Sequence, residues 1–265
     1  MSFGSVLRRG ALSGVLAGLA SAAVIWLVVE PVIRRALAIE EARGEHAHGG
    51  GQSGLGLPAS LLAHGGDEPL VSRTAQVVAG GVTAVLVGLA VGVVFSVVFA
   101  RMRDRLPGRG DLGRALVLTA VGFAAVSLLP GLKMPANPPA VGDPDTVGQR
   151  TTLYVLVLLL GVALALAVPT LDRALEGRVE APTRWALDAL AVVVGVALVF
   201  VLVPGTPDVV PADVPADLLW DFRLASLAQL ATMWLTLGVA FGLLMERGER
   251  RRLADAVAGR EPVTA

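Results

Sequence analysis

Leu129 to Thr152 reads L-P-G-L-K-M-P-A-N-P-P-A-V-G-D-P-D-T-V-G-Q-R-T-T and lies between two long apolar segments. Pro130, Pro135, Pro138, Pro139 and Pro144 keep helix and central strand out of most of it. Each also restricts the residue before it, so the loop is stiff and suited to placing polar groups. The groups on offer are Lys133, Asn137, Asp143, Asp145 and Arg150. A proline-rich turn joining two membrane helices is the plainer reading of the same residues.

Outward from this loop the chain is apolar. Hydrophobic residues make up 54%, charged residues 17%, and the mean hydropathy is +0.70. Soluble domains carry about 25% charged residues, so the composition is that of a membrane protein. About 20 apolar residues are needed to cross a bilayer, and six segments of that order stand out. They are Gly10–Val29, Val77–Ala100, Leu112–Leu129, Thr151–Leu171, Trp185–Val203 and Leu224–Met245. The expected fold is an all-α polytopic membrane protein, one membrane domain over residues 1–265 with six transmembrane helices and structured outer loops. The third span is the shortest. The first resembles a signal peptide, with Arg8 and Arg9 ahead of it and Ala20-Ser21-Ala22 within it. The apolar run passes that point, which argues for a retained span.

Arginine and lysine placement orients the chain. Fifteen basic residues fall on the side of the two termini and seven on the other, so both termini are expected in the cytoplasm. The Leu129–Thr152 loop then faces outward, together with the loops after the first and fifth spans. Small residues recur at Gly10, Gly14 and Gly18, at Gly80, Ala84, Gly88, Gly92 and Ser96, and at Gly238 and Gly242. In lipid such stripes mark close helix contact; a small-residue wall along a pore is the other reading of the second stripe. The odd spans end in V-V-E-P, L-L-P-G and L-V-P-G, and Arg73, Arg150 and Arg223 open the even ones. This pattern suggests three similar hairpins, although Pro and Arg are common at helix ends in any case.

Three motifs carry a family resemblance. They are K-M-P-A-N-P-P-A-V-G-D-P-D-T-V-G-Q-R-T from Lys133, Val29-Glu30-Pro31, and V-P-A-D-L-L-W-D-F-R-L-A-S-L from Val214 to Leu227. Together they resemble the CbtA family of cobalt transporter subunits over nearly the whole chain. The resemblance implies a multi-pass protein of the bacterial inner membrane, tied to cobalt uptake and cobalamin supply and working with a small membrane partner, CbtB. A homo-oligomer is a further option.

Candidate ligands for a divalent cation sit in the outer loops. The first loop carries His46 and His48 in a Gly-rich stretch over 44–68 expected to be flexible. In an extended chain His-x-His brings two imidazoles to one ion, and imidazole suits cobalt. A solvated loop with incidental histidines is the competing reading. Glu30 stands where the first span leaves the bilayer; a carboxylate costs little there and helix-end solvation is the competing reading, but the family resemblance implies that Glu30 is a candidate. The fifth loop carries Asp208, Asp213, Asp217 and Asp221. A helix beginning at Pro215 puts Asp217 and Asp221 on one face, where they repel each other mildly. The metal candidates are therefore Glu30, His46, His48, Asn137, Asp143, Asp145, Asp213, Asp217 and Asp221. Lys133, Arg150 and Arg223 are expected as charge partners, Arg223 beside Asp221. Trp220 and Trp185 fit anchors at opposite interfaces.

Several functions are excluded. With no cysteine there is no disulfide and no thiolate metal site. A Walker A loop needs G-K-[ST], and the single lysine is followed by Met134. Zero net charge points away from nucleic acid. The D-x-x-x-D-x-x-x-D spacing of Asp213, Asp217 and Asp221 resembles the Mg²⁺-diphosphate carboxylates of membrane prenyltransferases, which keeps an intramembrane enzyme as an alternative. A scaffold or regulatory subunit is the third.

Overall fold

The computed structural model describes residues 2–49, 72–139, 141–142 and 144–258. Six helical stretches are long and apolar enough to cross a membrane, each covering one expected span apart from Val203 at the end of the fifth, and no strand occurs among the described residues. The first runs unbroken from α1 (Phe3–Val24) through a five-residue π-helical turn (Ile25–Val29) into α2 (Glu30–Gly49). α3 spans Arg73–Met102. The third stretch is built the same way as the first: α4 (Gly110–Phe123), a π turn (Ala124–Leu128) and α5 (Leu129–Lys133). After a short 3₁₀ turn (Pro144–Thr146) come α6 (Val147–Leu175), α7 (Ala181–Leu202) and α8 (Ala216–Ala258).

The π turns account for a departure from the sequence reading, which stops the third span at Leu129. Pro31 and Pro130 each stand two residues after a π turn ends. A proline in an α-helix clashes with the carbonyl four residues back. In both places the turn ahead of it is widened, with Glu30 N–H donating to Ile25 O and Leu129 N–H to Ala124 O. The helix therefore continues through the proline, a known use of π-bulges. Before Pro204 there is no such turn. Val203 takes the extended conformation a pre-proline residue prefers, and α7 ends.

Phe95 and Phe99 of α3 meet Phe241 of α8 edge to face, with ring centroids 5.3 and 5.0 Å apart. Around them Val6, Ala17, Ala115, Leu118, Met233, Trp234, Leu237 and Met245 join α1, α3, α4 and α8 into the main core. α1 and α3 approach through their glycines: a Cβ on Gly88 would lie 2.5 Å from the Gly14 carbonyl oxygen. The small-residue face of α3 is thus a helix contact and not a pore wall. Gly80 is not part of it, since nothing lies within 4 Å of a Cβ placed there; Gly81 faces Trp26 instead. A row at spacing four drifts around a 3.6-residue helix, so the stripe turns away at one end.

The spans form a row in the order α3, α1, α8, α4, α6, α7, with the end of the third span leaning on α6. α7 packs on α6 and not on α8, so the fifth and sixth spans do not form a hairpin like the first pair. The order reads the same when the first three spans are exchanged with the last three. Those two triplets cross in opposite directions, so the packing follows inverted halves more closely than three parallel hairpins. α6 and α7 are the least covered; 6% of the fifth span is buried against 39% of the first. Trp185 and Trp220 are both exposed, as interfacial anchors would be.

Candidate functional site

α1 and α2 form one helix of 22, 5 and 20 residues, about 70 Å at 1.5 Å per residue. A bilayer core is about 30 Å thick, so α2 stands beyond it. Val32, Ala36 and Ile39, spaced four and three apart, make one apolar face of α2. It packs on Val141 of the proline loop and on Val214 and Leu218 at the start of α8. This brings the three motif-bearing segments to one end of the molecule.

Arginines on α2 hold the acidic residues there. Arg35 lies between Asp217 and Asp221, at 2.9 and 2.8 Å. Arg43 meets Asp213 with two nitrogens, at 2.6 and 2.7 Å. Its hydrogen bonds hold the Asp213 carboxyl below the usual carboxylate range. Glu30 is buried at the top of the π turn. It accepts from Arg34 one turn on, at 3.0 Å, and from Arg73 at the start of α3. These pairs differ in strength. Arg35, Asp217 and Asp221 are each about half exposed or more, and exposed ion pairs are worth about 0–1 kcal/mol. Glu30 has only 6% of its side chain exposed, and breaking a buried pair costs about 3–5 kcal/mol.

A second cluster centres on Asp208, whose side chain is 1% exposed. It accepts from Asn137 Nδ2 at 3.0 Å, Thr146 Oγ1 at 2.9 Å, Arg150 Nη1 at 3.1 Å and Thr206 Oγ1 at 3.3 Å. Arg223 reaches the same cluster by donating to Asn137 Oδ1 at 3.3 Å. Asn137, Arg150, Thr206 and Asp208 line a cavity of about 320 Å³, with Met134 and Tyr154 on its wall.

The sequence-based candidates distribute as follows. Asp217 and Asp221 share a face of α8, as their spacing requires, but Arg35 neutralises them; Arg223, expected beside Asp221, bonds Asn137 instead. Arg150 holds Asp208. Lys133 donates to the Phe200 carbonyl at 3.0 Å and lies over the Phe200 ring, so it ties α5 to α7, and among the described residues it pairs with no carboxylate. Asp145 is exposed on the 3₁₀ turn. Asp143 lies outside the described residues, as does most of the histidine loop. The backbone of His46 and His48 is helical, because α2 continues to Gly49, past the expected start of the loop at 44. The backbone there is helical and not extended. Among the described residues no three His, Asp or Glu side chains gather as a ready metal site.

Asp208 and Arg35 are the functional candidates that sequence reasoning passed over. Asp208 was visible only as one of four loop aspartates, and Arg35 was not singled out.

No curated protein and no solved structure matches the chain. A protein family described as probable cobalt transporter subunit (CbtA) matches residues 3–246, which takes in all six spans and both acidic clusters. The chain is therefore a multi-pass membrane protein that belongs to the CbtA family of cobalt transporter subunits.

Proposed function

We propose that this chain captures cobalt at the acidic end of its helices and passes it inward as the membrane subunit of an uptake system supplying cobalamin synthesis. In this reading it sits in the bacterial inner membrane with both termini in the cytoplasm, and the small protein CbtB is its partner. Family membership supports the metal. The observation that carries the capture step is the Asp217–Arg35–Asp221 bridge. Two carboxylates held by one exposed guanidinium are poised for exchange. A divalent cation that displaces Arg35 meets both oxygens and gives up only a weak ion pair. Oxygen ligands bind cobalt(II) in the absence of thiolates. Asp208, buried beside the cavity and held by Arg150 with three further donors, is too costly to strip of its partners in each cycle. Together they fix the wall past which the ion would move. The aspartates of the D-x-x-x-D-x-x-x-D spacing are shared between Arg35 and Arg43, so no observation favours diphosphate chemistry.

Cobalt accumulation in cells expressing the chain, with and without the small partner, tests the proposal. Accumulation above background is expected with the partner, and Asp217→Asn with Asp221→Asn should reduce it at limiting cobalt. Accumulation equal to that of cells lacking the chain would overturn the transport reading. Normal accumulation in the double variant would remove the capture pair alone.

A further inference from the structure

A second cavity, of about 550 Å³, lies at the opposite end of the molecule. Its walls are Ser5, Arg8, Arg9 and Leu12 of α1 and Leu244, Arg247, Gly248, Arg251 and Arg252 of α8. Five guanidiniums line it and no carboxylate does. Three acidic side chains of this end are engaged elsewhere: Asp111 and Glu249 with Arg103, and Glu246 with Arg250 and the Leu112 N–H. Asp104 and Asp255 line no part of the cavity. Among the described residues, Arg8, Arg247, Arg251 and Arg252 have no ion-pair partner. A cleft lined by charges of one sign focuses their field and draws anions to it.

Arg9 closes the cavity wall at one point. The Arg9 guanidinium packs against Gly248, where a Cβ would collide with it, and it donates to Met245 Sδ at 3.5 Å. Glycine at 248 therefore leaves the space that Arg9 fills. The lining is also graded. Leu12 and Leu244 form the end nearer the membrane core, with Leu12 53% exposed, and Arg251 and Arg252 form the far end. From Leu244 to Arg252 is about 12 Å along the helix. The headgroup zone on one side of a bilayer is about 5–7 Å deep, so the graded lining covers the passage from acyl chain to phosphate. A soluble phosphate would have no use for the leucines.

We propose that this cleft between α1 and α8 is a binding site for an anionic phospholipid, its phosphate held by the arginines and its acyl chains against Leu12 and Leu244. The site is independent of the metal reading and of the orientation of the chain. It is tested on the full-length protein in neutral detergent, by titrating phosphatidylglycerol and following both thermal unfolding and lipid retention in native mass spectrometry. Phosphatidylglycerol should raise the unfolding temperature and remain bound, and phosphatidylcholine should do neither. The Arg251→Gln, Arg252→Gln double variant alters exposed residues beyond the core and should still fold. It should bind phosphatidylglycerol roughly 30-fold more weakly, since each basic residue near an anionic membrane surface contributes about a fivefold factor. Equal response to phosphatidylcholine, or unchanged binding by the double variant, would overturn the site. Inorganic phosphate binding as tightly as phosphatidylglycerol would overturn the lipid as occupant and leave a site for free anions.

Discussion

Asp208 and Asp217 are both aspartates in the same loop region, yet their surroundings give them different work. Asp208 is buried and four groups donate to it. Asp208→Leu takes a shared acceptor from Asn137, Thr146, Arg150 and Thr206 and should lower stability, seen as a fall in unfolding temperature in detergent. Adding Arg150→Leu should recover only part of that loss, because the three neutral donors still lack their acceptor. Uptake should remain low in the double variant if the pair shapes the ion's route. Full uptake would make it purely structural. Asp217 is exposed, and Arg35 alone stands between it and Asp221. Arg35→Gln should change stability by no more than about 1 kcal/mol. It should also tighten cobalt binding measured by calorimetry, since the ion no longer competes with a guanidinium. Weaker binding would show that Arg35 organises the carboxylates more than it blocks them. The Asp217–Asp221 pair was legible from its spacing and Arg150 as a charge partner, but the groups that surround these residues were not. The donors to Asp208 come from the proline loop, the start of α6 and the stretch after α7. Arg35 and Asp217 are separated by 182 positions, and no local pattern links them.

At the scale of elements the sequence was more informative. Hydropathy alone placed every span, because the composition of a lipid-facing helix hardly depends on its neighbours. The ends were less legible. Prolines were taken as stops, whereas a π turn ahead of Pro31 and Pro130 carries the helix through. Glu30 owes its position to one of those turns: it follows the widened turn directly and points back to Arg73. The α1–α3 contact is the most exacting packing in the molecule. Gly88→Ala already places a Cβ against the Gly14 carbonyl and the Gly18 backbone. Overpacking of this kind costs about 1–3 kcal/mol, and Gly88→Leu should abolish accumulation of folded protein on an immunoblot of membranes. Gly80→Leu, with open space around it, should be tolerated. If both variants behave alike, the close approach is not what holds α1 and α3 together.

For the whole molecule, the expected topology is checked with reporter fusions. Fusions after Gly108 and Gly177 should report cytoplasm, and those after Gly142 and Pro211 the outside. Reversal at Gly142 alone would mean that the third span does not cross. The sequence led to three similar hairpins because Pro and Arg recur at the span ends, but packing between spans is a long-range property and the row runs otherwise. That row has a geometric consequence. α3 ends it on one side and α7 on the other, and these two helices do not pack together to close it. A ring of helices surrounds a lumen; an open ribbon does not. One copy of this chain offers an ion a wall on one side of its path and lipid on the other, where bare charge is expensive. A second polypeptide against the described helices would supply the other wall, and the sparsely covered α6 and α7 are the stretch of ribbon with most surface left to give it. Whether a working transporter is one ribbon closed by a small partner or several ribbons closed on each other is then a question of stoichiometry, which the mass of the intact complex answers directly.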